Sequence, residues 1–151
     1  MRIDLDLLRF KDRLRVRQDK NGKRLLFDPI RKKWLVLQPE EMVRQLMVAY
    51  LIEERGFSPN LISMERGLKV NTMDRRFDLL VYDQEVQPYL LVECKAFQVE
   101  LGQSAFEQVI WYNSTLKVPY LIVTNGIDTY CCWMDYEQGA SRFVDAVPGQ
   151  G

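Results

Sequence analysis

The chain has 151 residues, 47% hydrophobic and 28% charged, enough for one soluble domain with a sizeable core. It contains no histidine, which excludes Ser-His and Cys-His catalysis, histidine-assisted zinc sites and histidine general bases, and leaves acid–base or metal chemistry to Asp, Glu, Lys or Tyr. The net charge is zero, yet residues 1–33 hold 12 Lys/Arg against 5 Asp/Glu while the rest hold 9 against 16. A basic segment beside an acidic body suits contact with a polyanion at one edge and a cation elsewhere; a solvated charged hairpin would look the same.

The opening MRIDLDLLRF is too charged for a secretory signal, and no apolar run nears the roughly 20 residues of a membrane span. Cys94, Cys131 and Cys132 lie in strand-like apolar runs with no CxxC pair, which predicts free thiols in a reducing cytoplasm.

In chain order, residues 2–12 read as an irregular or short helical lead-in. Strands over 14–18 and 23–28 flank Asn21-Gly22, both tolerant of positive φ, and predict a hairpin. Residues 33–37 read as a third, edge-type strand. Pro39 opens a long amphipathic helix, with Val43, Leu46, Met47, Tyr50 and Leu51 on its apolar face, acidic residues in its first turn and Gly56 as its stop. Residues 61–68 predict a strand and 71–75 a polar connection. A hairpin over 76–97 follows, then a helix over about 103–116 that turns Phe106, Val109, Ile110 and Leu116 inward. An apolar strand after Pro119 ends at Asn125-Gly126, and strands over 129–134 and 142–144 close the domain. The order predicts a mixed α/β layer fold, a central sheet with a helix on each side. YLLVECKAF and PYLIVTNG, apolar on both faces, should be its middle strands.

The chemistry concentrates in residues 76–97, RFDLLVYDQEVQPYLLVECKAF. Side chains alternate along a strand, so Glu93 and Lys95 point one way and Cys94 the other. With a turn over 84–87, Asp83 faces Pro88, and counting back sets Asp78 opposite Glu93. Three charges would then converge on an otherwise apolar sheet, where an unpaired charge costs several kcal/mol. A structural salt bridge from Lys95 to the carboxylates is one solution. Another is a hard divalent ion, Mg²⁺ or its substitute Mn²⁺, held by the two carboxylates with Lys95 beside its bound water.

Phe77-Asp78 followed by Glu93-Cys94-Lys95 is similar to the bipartite PD-(D/E)xK signature of Mg²⁺-dependent nucleases. Pro39-Glu40-Glu41 with Val43-Arg44-Gln45, then RRFDLLVYD, LLVECKAF and VPYLIVTNG, resembles the N-terminal nuclease domain of type I restriction enzyme R subunits over about residues 25–137. The resemblance implies a restriction-endonuclease-like fold with a nuclease core (39–137), which forms a single domain with the N-terminal β-hairpin extension (residues 1–38) read from the turn signal above. It implies Asp78 and Glu93 as metal ligands, Lys95 as the catalytic lysine, and a helical carboxylate at Glu40 or Glu41. The apolar face projects back more nearly onto Glu40. Gln108 and Tyr112 match a Gln-x-x-x-Tyr element that could steady the lysine or contact a phosphate; they could equally be a half-buried packing pair. Glu65 is a weaker candidate. Phe77 replaces the usual proline of the motif, and the sequence has no GxxxxGK[ST] motor motif.

DNA is the implied partner, with restriction-system subunits or a second copy of the chain as further ones. Arg13, Arg15 and Arg17, alternating on one strand face, could follow phosphates, with Lys23 and Arg24 beside them and Lys20, Arg31, Lys32 and Lys33 nearby. Nothing in the pattern suggests base reading. A non-catalytic nucleic-acid-binding or assembly module of the same fold is the alternative to an endonuclease, and RNA the alternative substrate.

Overall fold

Asp6 accepts a hydrogen bond from the Leu8 N–H (3.1 Å) and starts a 3-10 turn at Leu7–Arg13 that buries Leu7 and Phe10. The structure, a computed structural model, describes the backbone of residues 2–64, 67–70 and 73–150, and side chains at all of these except 67–70, 73–76 and 111–115. Three short strands follow, β1 (Val16–Gln18), β2 (Arg24–Asp28) and β3 (Lys33–Val36), paired antiparallel in that order. The extension is therefore a three-stranded sheet, the predicted hairpin with the predicted third strand at its edge. Its first turn is closed differently from the Asn21-Gly22 reading, since only Gly22 takes a positive φ (81°). The Asp19 carboxylate accepts from the N–H groups of Asn21 and Lys23 (2.9 Å each), and Gly22 N–H donates to the Asp19 carbonyl (3.0 Å). The loop is a type I turn completed by a left-handed glycine.

Helix α1 (Pro39–Glu53) begins where predicted, with proline in its first turn and Glu40 and Glu41 near its positive end. Gly56 (φ 79°) ends it, and the Phe57 N–H returns to the Leu51 carbonyl (3.0 Å). Val43, Leu46, Met47, Tyr50 and Leu51 are all buried.

The rest comprises β4 (Ile62–Met64), β5 (Gly67–Val70), β6 (Met73–Arg76), β7 (Leu79–Tyr82), β8 (Pro88–Cys94), α2 (Gln103–Leu116), β9 (Tyr120–Thr124), β10 (Thr129–Asp135) and β11 (Ala140–Val144). The central sheet runs β11-β10-β9-β8-β7-β4. The β8–β9 pair is parallel and joined across α2; the other pairs are antiparallel. The two strands predicted to be central, β8 and β9, are central. Leu79, Val81, Leu90, Val92 and Ile122 pack on the α1 side; Leu80, Leu91, Leu121 and Val123 pack with Val109 on the α2 side.

Three predictions need correction. The strand expected over 61–68 divides into β4 and the start of β5, with residues 65 and 66, including Glu65, outside the described residues. The polar stretch expected to be a connection contains β6, which pairs with β5 in a separate two-stranded ribbon. The sequence MDRR lacks the apolar alternation that marks a strand against a core. Ile110 is 47% exposed, whereas Ala105 is buried: the inward stripe of α2 runs through Ala105 and Val109, and Ile110 falls past its edge.

Candidate active site

The site forms where β7 and β8 emerge beside the first turn of α1. Leu79 pairs with Val92, Leu80 with Leu91 and Val81 with Leu90, after which a bulge sets Tyr82 against Pro88. Tyr89 is the extra residue, so Pro88 meets Tyr82 and not Asp83. The register beyond the bulge is the predicted one as far as Leu79 opposite Val92, and Asp78 and Glu93 are the next residues on the two chains. Asp78 sits in a bend before β7. Phe77 and Leu80, three apart, both pack on the α2 side, so strict alternation stops there. The bend frees the Asp78 carboxylate to accept from the Cys94 N–H at Oδ2 (2.7 Å) and from Arg44 Nη1 at Oδ1 (2.6 Å).

Glu93 is buried, with Oε1 3.4 Å from Lys95 Nζ. The Lys95 N–H donates to the Thr124 carbonyl (2.8 Å), which extends the β8–β9 pairing one step and fixes the lysine backbone. Beyond Thr124 the chain turns through Gly126 (φ 89°), where a Cβ would lie 2.6 Å from the Phe97 ring, so this close approach admits only glycine. Lys95 Nζ also donates to Gln108 Oε1 on α2 (3.5 Å). The structure thus brings Gln108 to the lysine; the Tyr112 side chain lies outside the described residues.

Burial pushes the Glu93 carboxyl up to about 8, and the charge of neighbouring Asp78 adds to the shift; Lys95 opposes it. Two buried carboxylates that compete for one charge are what a hard divalent cation relieves, and with bound waters two such donors suffice for Mg²⁺. Among the described residues no group of three or more Asp, Glu or Cys is gathered as metal ligands.

The helical carboxylates are the main departure from the sequence reading. Glu41, not Glu40, is the buried one: Glu41 is 6% exposed and the Glu40 side chain 46%. The projection from the apolar face failed because Gln45 and Val48 are buried too, which widens that face towards Glu41. Arg31 Nη2 donates to both Glu41 oxygens (3.0 Å each), and Gln45 Nε2 and Arg44 Nη2 donate to it as well (3.2 and 3.3 Å). Glu40 Oε2 accepts from Arg44 Nη1 (3.2 Å), the atom that also holds Asp78. A buried guanidinium therefore stands between the helical carboxylates and Asp78. Burial disfavours its charge, but Asp78 and Glu41 outweigh burial and raise its pKa. Arg31 extends the chain by pairing with fully buried Asp28. Arg44 and Arg31 carried no predicted role in the site. The available signal was the i, i+4 and i, i+3 spacing of Arg44 from Glu40 and Glu41 inside an apolar run.

The basic segment is only partly the predicted row. Arg13 belongs to the 3-10 turn, not to β1, and pairs with Glu53 (2.7 Å). Arg15 and Arg17 do share a face: Arg15 stacks on Phe27 (4.6 Å to the ring centroid) and Arg17 on Trp34 (4.2 Å). Arg24, two and four residues before the buried Leu26 and Asp28, shares their face and so lies on the face opposite to Arg15 and Arg17; Lys23 is exposed at the turn. Among the described residues no helix is long and apolar enough to cross a membrane, and all three cysteines are free.

Compared with known proteins, residues 39–148 match the family model of the type I restriction enzyme R protein N terminus. A solved fragment from Vibrio vulnificus YJ016, described as an HsdR subunit of a type I restriction enzyme, is similar over 74% of this chain, with 21% identity and a TM-score of 0.52. This chain spans 24% of that fragment. No curated protein matches. The family match covers the helix that carries Glu40, Glu41 and Arg44, both strands of the carboxylate pair and Lys95, and by it the chain belongs to the family of type I restriction enzyme R protein N-terminal domains.

Proposed function

We propose that this domain is a Mg²⁺-dependent endodeoxyribonuclease that hydrolyses DNA phosphodiester bonds, with Mn²⁺ able to substitute. The observation that supports this reading most is the buried pair Asp78 and Glu93 with Lys95 3.4 Å from Glu93. Asp78 and Glu93 would hold the ion, which when bound supplies Lewis-acid polarisation of the phosphate and a more acidic water. Lys95 offers an ammonium to charge that develops on the phosphate. Gln108, in contact with Nζ, limits where that ammonium can go. Arg44 holds the Asp78 carboxylate in one orientation, and Glu40 is the helical carboxylate that shares its Nη1. The amino-terminal basic sheet supplies phosphate contacts, and the natural partners are DNA and other subunits of a restriction system, in the cytoplasm.

A second reading, a non-catalytic binding or assembly module, draws on Arg44. Its guanidinium already compensates Asp78, and Glu41 is fully engaged by Arg31, Gln45 and Arg44. Incubation with supercoiled plasmid and single-stranded DNA, in Mg²⁺ or Mn²⁺, separates the two. The nuclease reading expects nicking or cleavage that falls by about 100-fold or more in Lys95→Ala with unchanged circular dichroism. Undiminished cleavage by Lys95→Ala contradicts the mechanism. A folded wild type that neither binds Mn²⁺ nor cuts supports the module.

A further inference from the structure

Between Arg15 and Val36 the chain carries eight Lys/Arg against Asp19 and Asp28. Both acids are committed: Asp19 to the turn N–H groups, Asp28 to Arg31 and the N–H groups of Ile30 and Arg31. Among the described residues, Arg15, Arg17, Lys20, Lys23, Arg24 and Lys33 have no carboxylate partner.

The strand register sorts these residues by face. Leu26 and Asp28 of β2 are fully buried, so Leu25 and Phe27 look the other way. Phe27 lies opposite Trp34 of β3, their centroids 5.2 Å apart, and Arg17 lies opposite Leu25. The Phe27 N–H donates to the Arg15 carbonyl (2.9 Å), placing Arg15 beside Phe27. The outward face therefore carries Arg15, Arg17, Phe27, Trp34 and Val36, and Val36 is 39% exposed. Arg15 contacts both rings (4.6 and 5.5 Å) and Arg17 contacts Trp34 (4.2 Å). The same face runs into an apolar groove of 310 Å³ beside α1, lined by Leu14, Phe27, Val48 and Ile52.

A guanidinium laid on a ring keeps its full charge and its second planar face. Such contacts contribute only about 0.5–1 kcal/mol at exposed sites, too little to explain gathering two arginines and two rings on an open sheet. They do hold the planes ready for a ligand that is both anionic and flat. A duplex would meet such a surface with phosphates alone, because its bases are stacked inside. An unpaired strand offers phosphates to the arginines and bases to the rings, guanidinium planes and groove.

We infer that the outward face of the β1–β2–β3 sheet is a binding surface for single-stranded nucleic acid, with Arg15, Arg17, Phe27 and Trp34 as its stacking platform. The inference rests on the reading of this chain as one that acts on nucleic acid, and its test avoids the carboxylate pair. Fluorescence anisotropy in EDTA compares labelled oligo(dT), oligo(U) and a hairpin duplex of equal charge. Single strands should bind more tightly than the duplex and lose affinity with rising salt. Trp34→Ala should weaken single-strand binding about tenfold and duplex binding by less than twofold, with Trp34→Phe between them. Arg17→Ala, at an exposed position where folding is not at risk, should also weaken the single strand more than the duplex. The oligo(dT) and oligo(U) arms tell DNA from RNA. Equal losses for duplex and single strand, or no loss in Trp34→Ala and Arg17→Ala, would overturn the inference. Because no divalent ion is present, a chain that cuts nothing can still bind as described, and one that cuts can still fail.

Discussion

Charges at the start of α1 and charges on the amino-terminal sheet are handled in opposite ways. At α1, Asp28, Arg31, Glu41, Arg44 and Asp78 alternate in sign through a chain of contacts that links the end of β2 to the entry of β7. On the sheet, Arg15 and Arg17 have rings beneath them and no carboxylate partner among the described residues. The first arrangement fixes positions in a dry environment, where each ion depends on the next. The second leaves charge free for something outside the chain. The same residue type, arginine, serves both because its planar fork can bind several carboxylates at once or lie flat on a ring.

The contrast is open to direct attack. Arg44→Met should have the largest effect, because it leaves Asp78 and Glu41 buried without that partner. Breaking a buried ion pair costs about 3–5 kcal/mol, read by urea denaturation, with Arg44→Lys intermediate because an ammonium cannot reproduce the fork. A loss below about 1 kcal/mol would mean that the network holds nothing in place.

Next comes pH. The Glu93 carboxyl is raised by burial and by Asp78 to about 8 from an ordinary value of 4.5. Between these values the folded chain keeps a proton that the unfolded chain has lost. The contribution of Glu93 to stability without divalent ions is therefore full below about pH 4.5 and is lost as pH rises towards 8. The contribution of this group to the slope is at most about 1.4 kcal/mol per pH unit. Glu93→Gln should flatten that decline; an unchanged slope would remove the carboxylate pair from the account.

The smallest effect on stability belongs to the sheet. Arg17→Ala should change stability by no more than about 0.5 kcal/mol, while nucleic-acid affinity falls and its salt dependence becomes shallower. A large stability loss there would make the stacked arginines structural, as at α1.

Much of this was legible from sequence because it rests on local rules. Pro39, the apolar face through Val43 and Leu51, and Gly56 define α1 in the order capping chemistry requires. The double-faced apolarity of LLVEC marks a central strand, and the two-residue period places Glu93 and Lys95 together. Counting across the hairpin gives the observed register as far as Leu79 opposite Val92 despite a bulge, while neither that bulge nor the bend that turns Asp78 to Arg44 is announced by the sequence. What was not legible depends on which charge meets which across the fold. Arg44 and Arg31 reach their partners through side-chain length and burial, and no period encodes that. For the same reason the apolar period points to Glu40, whereas the burial of Gln45 and Val48 turns the face towards Glu41. Arg13, one residue pair from a matching row, was drawn away by a 3-10 turn and Glu53.

The most direct measurement is calorimetric titration of Mn²⁺ at pH 6 in two buffers of different ionisation enthalpy. If Asp78 and Glu93 hold the ion, wild type binds it and releases close to one proton, because the cation replaces the proton that burial keeps on Glu93. Asp78→Asn should abolish binding. Absence of binding by folded wild type, or binding that survives Asp78→Asn with no proton released, would contradict a metal centre at this carboxylate pair.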